Sequence, residues 1–518
     1  MPPRLRTAIY SVASVVFVSK VLGFLRGMVI ADKFGTSAAY DLYLIAIILP
    51  ALASGVLGYA CYYQFVPFLT RQAERAGSDR SAAFWRPTWS TVNLTLLIGA
   101  VATLAIVLAA PYIMKIWDTG YLAGDFNLIV FYSRVTAASV LLSVTEAFMR
   151  ALLNVRKTYT YPAIGLSLFN LFSIAAVLLW HQRFSVGAVA VGLVGGLLIQ
   201  NLFLALKLIR LRPFEHFRVT IIDKGSPLFL SVASTLILVE LINRSYFMID
   251  RYFAPHFGDG VISALSYGQI LVQLPESIVG FAIGAVMFPV FSRQSDDVDT
   301  TTFAAAYRKG VTAALLFAAP LAVFFYVNAE SLVYTVFHRG VFDDRSAAMT
   351  TSILRTLAPS IIALFVVSMS IRACYARGWS RPVLVFSVML LFIKFGATAL
   401  LPRWLDYPGI SAASSLSLVL FAILLMLYIV RRWPREDMRS FGRTMFKLGA
   451  AGLLAYAAAY GFQRLIWPSA REMTHVISAV TLAASGGVVF GSYGIAAWLL
   501  GLRRQFAAGG PSEGAAEW

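Results

Sequence analysis

Apolar stretches about as long as a membrane-spanning helix recur along nearly the whole chain. A helix needs about 20 mainly apolar residues to cross the hydrocarbon core of a bilayer. Of the 518 residues, 59% are hydrophobic and only 13% are charged, whereas soluble domains carry about 25% charged residues. The sequence therefore predicts an all-α, polytopic membrane protein with about fourteen transmembrane helices.

The predicted spans alternate with short hydrophilic connections. They cover residues 8–31, 39–69, 88–112, 126–153, 161–180, 185–209, 226–253, 260–291, 308–328, 346–375, 382–402, 407–430, 444–463 and 475–500. The basic segment at residues 1–7 resembles the start of a signal peptide. The apolar run that follows it continues to about Ile30 without a small-residue cleavage site, so a retained first helix is predicted. The small, polar segment 505–518 is predicted to be disordered.

Basic residues are concentrated in every second connection, which predicts the orientation in the membrane. The richer set comprises Arg71, Arg75, Arg80, Arg86, Arg156, Lys157, Lys207, Arg210, Arg212, Arg218, Arg293, Arg308, Lys309, Arg377, Arg381, Arg431, Arg432, Arg435, Arg439 and Arg443. The poorer set comprises Lys33, Lys115, Arg183, Arg339, Arg345, Arg403, Arg464 and Arg471. Basic loops stay in the cytoplasm, so both termini are expected there.

The charge and the motifs exclude several classes of function. The net charge of +18 lies mostly in these short connections, and there is no basic domain of the kind that binds nucleic acid. Cys61 and Cys374 fall in apolar helices, the five histidines lack metal-ligand spacing, and there is no Walker A motif. No connection exceeds about 20 residues. The sequence thus predicts a carrier without cofactor, metal or catalytic site, and not an enzyme.

The chain also repeats itself at an offset of 220 to 225 residues. The matching blocks are Lys33-Phe34-Gly35 with His256-Phe257-Gly258, Leu49-Pro50 with Leu274-Pro275, Gly55 with Gly280, Val66-Pro67 with Phe288-Pro289, Arg150-Ala151 with Arg372-Ala373, and Tyr161-Pro162 with Arg381-Pro382. Six predicted helices separate equivalent points, so the halves share one orientation and form a parallel repeat. We therefore predict a six-helix lobe at residues 1–220, a second at 221–435, and two additional helices at 436–504.

Charged residues and prolines within the spans mark the candidate sites. Lys20, Glu240 and Lys394 lie deep in their spans, where a charge is costly unless it faces a cavity or a partner. A cationic cavity suits a diphosphate. Charges near the span ends, namely Arg150, Asp250, Arg251 and Arg372, are interpreted as snorkelling to the membrane surface. Pro50 and Pro275 interrupt matching spans, either as static bends or as hinges.

Several motifs resemble the MurJ/MviN family of lipid II flippases over about residues 8–435. They are Ser19-Lys20-Val21-Leu22-Gly23-Phe24-Leu25-Arg26 with Phe34-Gly35 and Asp41, Ile249-Asp250-Arg251, Ser263-Ala264-Leu265-Ser266-Tyr267-Gly268, Phe288-Pro289, and Val336-Phe337-His338-Arg339-Gly340-Val341-Phe342. The resemblance implies the fold of the multidrug/oligosaccharidyl-lipid/polysaccharide exporters, with two lobes around a cationic cavity and a lipid-tail groove formed by the last two helices.

The resemblance also implies particular site residues. Arg26 and Asp41 match functional family positions, and Lys20 replaces an arginine, so Lys20, Arg26 and Asp41 are the predicted substrate-binding residues. Other positions differ from the family pattern. Two cavity arginines are replaced by Ser54 and Ile270, and two acidic positions by Tyr59 and Gln273. The cavity is therefore expected to be less charged than in the best-known members.

The leading interpretation is a flippase for a polyprenyl-diphosphate-linked saccharide, with lipid II as the first candidate substrate. The alternatives are a flippase for an exopolysaccharide or O-antigen repeat unit, a cation-coupled multidrug exporter, and a membrane scaffold for envelope-synthesis enzymes. Similar proteins hold a cation between helices 7, 11 and 12. Glu240 and Lys394 lie in predicted helices 7 and 11, and we predict that they pair and that Lys394 replaces a sodium ion there. The expected partners are the lipid-linked saccharide, membrane lipids and envelope-synthesis enzymes.

Overall fold

A computed structural model describes residues 3–77, 81–117, 126–209, 217, 219–221, 226–293, 300–466 and 475–502. Over these residues the regular structure is helical and contains no strand. Thirteen described helical segments are long and apolar enough to cross a membrane, or fourteen when one bent pair of helices is counted as a span. The predicted all-α class and the predicted number of spans are therefore confirmed. The predicted disordered tail at 505–518 lies outside the described residues.

The described chain divides into two compact units, residues 1–263 and 264–518. The helices of the first unit are α1 (Pro3–Phe34), α2 (Ala38–Ala46), α3 (Ile48–Ala76), α4 (Ala82–Ile113), α5 (Phe126–Val155), α6 (Thr160–Phe184), α7 (Gly187–Leu208) and α8 (Ser226–Phe253). Helix α9 (Val261–Pro275) begins in this unit. Short 3₁₀ turns follow α4 at Met114–Trp117 and α8 at Ala254–Phe257. The lobe boundaries predicted at 220, 435 and 504 stay predictions.

The second unit contains the remaining helices. They are α10 (Phe281–Arg293), α11 (Thr300–Val327), α12 (Ala329–Phe337), α13 (Asp344–Ala376), α14 (Ser380–Leu400), α15 (Pro402–Leu405), α16 (Pro408–Val430), α17 (Arg435–Ile466) and α18 (His475–Leu499). The short helices α12 and α15 were not predicted, because neither contains enough residues to produce a span in a hydropathy pattern.

Side chains of Ser and Asp fix the beginnings of several helices. Ser37 accepts a hydrogen bond from the backbone N–H of Tyr40 at the start of α2. Ser81 does the same for Phe84 in α4, and Asp343 for Ser346 in α13. Such caps satisfy backbone donors that have no partner within the helix. They explain why these helices begin where short polar connections end.

An aromatic core holds the first unit together. Phe65 on α3 is fully buried between α5 and α8, with its ring centroid 5.3 Å from that of Phe148 and 5.1 Å from that of Phe229. Trp85 on α4 is almost completely buried in the same cluster. Helix α8 therefore packs on α3 within this unit.

Polar contacts within the second unit join α17 and α18 to α11 and the residue that follows it. Arg308 on α11 donates a hydrogen bond to Ser440 on α17. The hydroxyl of Ser485 on α18 donates to the side-chain oxygen of Asn328 at 2.7 Å, and both residues are buried. A buried polar pair of this kind specifies one register, because separation would leave both groups without partners. The two additional helices are thus packed parts of this unit.

The two prolines considered as hinges lie at breaks in their spans. α2 and α3 meet at Ile47 with a bend of 42°, and Pro50 is the third residue of α3. α9 ends at Pro275 and continues into a π-helical turn, Glu276–Gly280, before α10 begins. π-Turns inside helices often occur at functional sites. The breaks are a property of this fold, and their use as hinges stays a prediction.

Candidate functional site

Lys20 is an exposed cation on α1. Its neighbour Ser19 is buried and donates a hydrogen bond to the carbonyl oxygen of Ala163 on α6 at 2.8 Å. Lys20 itself is exposed and has no ion-pair partner among the described residues. Packing of Ser19 thus fixes α1 and leaves the Lys20 ammonium available to a ligand.

Arg26 lies on the same helix in a more enclosed position. Its guanidinium stands 5.0 Å from the ring centroid of Phe169 on α6, and it interacts electrostatically with the phenol groups of Tyr40 and Tyr43 on α2. Six residues separate it from Lys20, which corresponds to about 9 Å along the helix axis and roughly 120° around it. The two cations therefore lie on one helix but on different faces.

Asp41 is buried, with 1% of its surface exposed. Its carboxylate accepts hydrogen bonds from the backbone N–H groups of Gly260 and Ser263, each at 2.7 Å, and from the Ser263 hydroxyl. These donors surround the first residues of α9, so Asp41 caps a helix that begins 220 residues later in the chain. The observed contacts of Asp41 are structural, and substrate binding by Asp41 stays a prediction.

Arg251 is a further cation, and its position near a span end predicted that it snorkels to the membrane surface. Its guanidinium donates a hydrogen bond to the carbonyl oxygen of Leu44 on α2 at 3.1 Å. It also interacts electrostatically with Tyr40 and Tyr43, the two tyrosines with which Arg26 interacts. Arg26, Arg251, Tyr40 and Tyr43 therefore form one cluster around α2. Only the Ile249-Asp250-Arg251 motif pointed to this residue.

Glu240 and Lys394, the predicted coupling pair, each have partners close by. Glu240 on α8 forms an ion pair with Arg244 at 2.8 Å, one helical turn away. Lys394 on α14 is fully buried and donates hydrogen bonds to the carbonyl oxygen of Ile410 and the hydroxyl of Ser414 on α16. Glu240 is thus paired with an opposite charge, whereas these two hydrogen bonds of Lys394 are to neutral oxygens. The Glu240–Lys394 pair stays a prediction.

Two other arginines within spans also have local partners. Arg150 on α5 forms an ion pair with Glu146 at 3.3 Å, and its guanidinium stands 4.0 Å from the ring centroid of Tyr62. Arg372 on α13 donates a hydrogen bond to the carbonyl oxygen of Gly280 at 3.3 Å. Within the described part of the chain, no group of three or more His, Cys, Asp or Glu residues could hold a metal ion.

The chain matches known proteins over nearly its whole length. The family model described as lipid II flippase MurJ matches residues 30–478. The lipid II flippase MurJ of Burkholderia cenocepacia is 23% identical over 513 residues, which cover 96% of this chain and 97% of the relative. A probable lipid II flippase MurJ of Bdellovibrio bacteriovorus is 24% identical, with 93% of each chain covered.

Solved structures show the same fold. The structure of lipid II flippase MurJ in an inward closed conformation superposes with a TM-score of 0.77 at 17% identity, covering 93% of this chain and 97% of that one. An inward-facing multidrug resistance MATE transporter of the MOP superfamily gives a TM-score of 0.65 at 15% identity, covering 84% and 99%. The predicted exporter fold is confirmed. The family model spans most of the chain, and the protein belongs to the MurJ lipid II flippase family.

Proposed function

We propose that this chain is a flippase that moves lipid II, a polyprenyl-diphosphate-linked saccharide, from the cytoplasmic to the outer leaflet by alternating access. The observation that carries the proposal is the match to the lipid II flippase MurJ family over residues 30–478. The substrate named for the relatives is a large amphipathic anion. A carrier for such a molecule needs cations within its spans to compensate the diphosphate charge.

Lys20 and Arg26 are the proposed binding groups for the diphosphate. Both are cationic donors on α1, and charge-assisted hydrogen bonds to phosphate oxygens are stronger than neutral ones. Lys20 is exposed, whereas Arg26 is half-buried and its guanidinium lies 5.0 Å from the ring centroid of Phe169. We propose that Lys20 binds the diphosphate through an ammonium on a flexible side chain, and that Arg26 binds it through a guanidinium with a fixed orientation.

Asp41 is proposed to serve the site by positioning α2. It fixes the first turn of α2 against the first residues of α9, and the same turn carries Tyr40, which interacts electrostatically with Arg26 and Arg251. Loss of the Asp41 carboxylate would therefore disturb the arginine cluster without removing a cation. Pro50 and Pro275 are proposed as the hinges of alternating access, because each lies at a break of its span.

Lys394 is the proposed substitute for a coupling cation. Its ammonium is fully buried and bonded to oxygens of Ile410 and Ser414, a neutral oxygen environment that would also suit a monovalent cation. We propose that this fixed charge makes transport independent of sodium, and that Glu240 is its counter-charge. Exchange of sodium for choline is expected to leave the transport rate unchanged, and strict sodium dependence would refute the proposal.

The apolar helices and the family together place this multi-pass protein in the inner membrane of a bacterium. We propose that both termini are cytoplasmic, because every second connection is rich in arginine and lysine. Enzymes of envelope synthesis are proposed partners, since they produce and consume lipid-linked saccharides on the two faces of the membrane.

Reconstitution in proteoliposomes tests the proposed substrate. We expect the purified protein to move fluorescent lipid II across the bilayer, and unlabelled lipid II to compete with it. A polyprenyl diphosphate that carries a different saccharide is expected to compete less well, and a cationic drug not to compete. Equal competition by the other saccharide would indicate a repeat-unit flippase. Competition by the drug would indicate a multidrug exporter. The absence of any transport would indicate a scaffold.

A further inference from the structure

Arg244 is a charged residue at the centre of a membrane span. The candidate span runs from residue 229 to residue 257, and Arg244 lies within about one residue of its midpoint. A charge at this depth is costly in lipid and is normally found facing a partner or a water-filled cavity. Its side chain is 41% exposed, so part of it is accessible to a molecule other than the protein itself.

The guanidinium lies directly on the backbone of α3, at Gly55. A Cβ atom at position 55 would stand 2.1 Å from Cζ of Arg244 and 2.3 Å from its Nε. These distances are far shorter than a van der Waals contact, so the observed position of the guanidinium requires a glycine at this point. The absence of a side chain at Gly55 makes room for the cation.

Glu240 fixes the orientation of the same group. The Nε–H of Arg244 donates to Oε1 of Glu240 at 2.8 Å, and the Glu240 side chain is only 11% exposed. Among the described residues, the Nη1 and Nη2 groups of Arg244 have no hydrogen-bond partner. Glu240 thus holds the guanidinium at Nε, and the N–H donors at Nη1 and Nη2 are suited to bind an anion through two of its oxygens.

We propose that Arg244 is a further phosphate-binding residue of this chain, with Glu240 and Gly55 as its positioning residues, and that its Nη groups bind the diphosphate of the lipid-linked substrate. The identity of the ligand, the diphosphate of a lipid-linked saccharide, rests on the function proposed above. The geometry itself favours an anion with two or more oxygens, because a held guanidinium with free Nη donors matches such a group.

Binding of a polyprenyl diphosphate to the purified full-length protein in detergent tests the proposal. A single Arg244→Gln change leaves a buried carboxylate without its partner and can destabilise the fold. The test therefore uses the double variant Glu240→Gln/Arg244→Gln, which removes both charges. We expect this variant to remain folded and to bind the ligand about tenfold more weakly or worse, the loss that one charge-assisted contact predicts. Glu240→Gln alone keeps the cation of Arg244 and is expected to bind more tightly than the double variant.

Gly55→Ala provides an independent test, because the new methyl group must displace the guanidinium while leaving every charge in place. We expect severalfold weaker binding in the wild-type background and no further loss in the double variant. Gly58→Ala on the same helix is the matched control, since its Cβ would meet the nearest atom, Cβ of Ser143, at 3.4 Å. It should bind normally.

The outcomes separate this proposal from the proposed function. If the wild type binds polyprenyl diphosphate and the folded double variant binds it equally well, Arg244 is not a ligand-binding residue, whereas the proposed function stands. If the wild type does not bind polyprenyl diphosphate at all, both are overturned.

Discussion

The carboxylate of Asp41 accepts two hydrogen bonds from Ser263, which lies 222 residues further along the chain. One comes from the backbone N–H and one from the hydroxyl, and Gly260 donates a third to the other carboxylate oxygen. The carboxylate thus satisfies backbone donors that no residue of α9 itself could satisfy. A residue predicted to bind substrate therefore also caps a distant helix.

Truncation of Asp41 should reduce stability as well as function. Asp41→Ala leaves buried N–H groups without an acceptor, so we expect it to cost about 1–2 kcal/mol and to lower the melting temperature in detergent. Ser263→Ala removes only one hydroxyl donor and should have a smaller effect. Comparison of melting temperatures with cellular function checks this. An Asp41→Ala protein as stable as the wild type would contradict the capping role.

Removal of the positive charge at Lys20 should abolish function without removing the protein from the membrane. Lys20→Ala and Lys20→Gln lose the ammonium that we expect to bind the diphosphate, whereas Lys20→Arg keeps a cation and should be tolerated. Lys33→Gln is the matched control on the same helix, because Lys33 is already paired with Asp32 at 2.8 Å. Complementation at matched protein levels is the measurement. Full activity of Lys20→Ala would exclude Lys20 from the site.

Single cysteines should report the orientation predicted by the basic connections. Cys61 and Cys374 are both buried, and their replacement gives a background for labelling. A membrane-impermeant reagent applied from outside should modify a cysteine near Arg339 and should not modify one near Arg80. The opposite labelling pattern would reverse the proposed topology.

The cap at Asp343 should make part of the stability depend on pH. The hydrogen bond from the backbone N–H of Ser346 holds the pKa of Asp343 below its ordinary value. Because the pKa of Asp343 is lower in the folded state, the contribution of the cap to stability is present above the pKa of an unfolded Asp, about 3.9. This contribution is lost as the pH falls through the pKa of Asp343 in the folded protein. At pH 7, Asp343→Ala should therefore lower the free energy of unfolding by about 1 kcal/mol, and the variant should melt at a lower temperature than the wild type.

Below the unfolded pKa this difference in melting temperature should shrink. Asp343→Ser, a cap that does not titrate, should show no such change. A difference between wild type and Asp343→Ala that is the same at pH 3 and pH 7 would contradict the assignment.

Local sequence patterns predicted the spans because hydropathy is a property of consecutive residues. The side-chain contacts of the site could be predicted less well from the sequence, because they join residues that are far apart in the chain. Arg251 looked like a snorkelling residue near a span end, and only the fold shows that it bonds to Leu44, 207 residues away. Arg244 lies within an apolar span, but its packing against Gly55 in another helix has no local signal. The resemblance identified Asp41, but not the capping contacts that it makes.

Accessibility of lipid II at the outer surface of living cells is a direct measure of whether this chain flips lipid II. The experiment uses a bacterium depleted of its own lipid II flippase and supplied with this chain, and it measures how much lipid II an externally added reagent can modify. We predict that the wild type restores outer-leaflet lipid II and that Arg26→Gln, present at the same level, does not. Outer-leaflet lipid II that stays at the depleted level with the wild-type chain in the membrane would refute lipid II flipping by this chain.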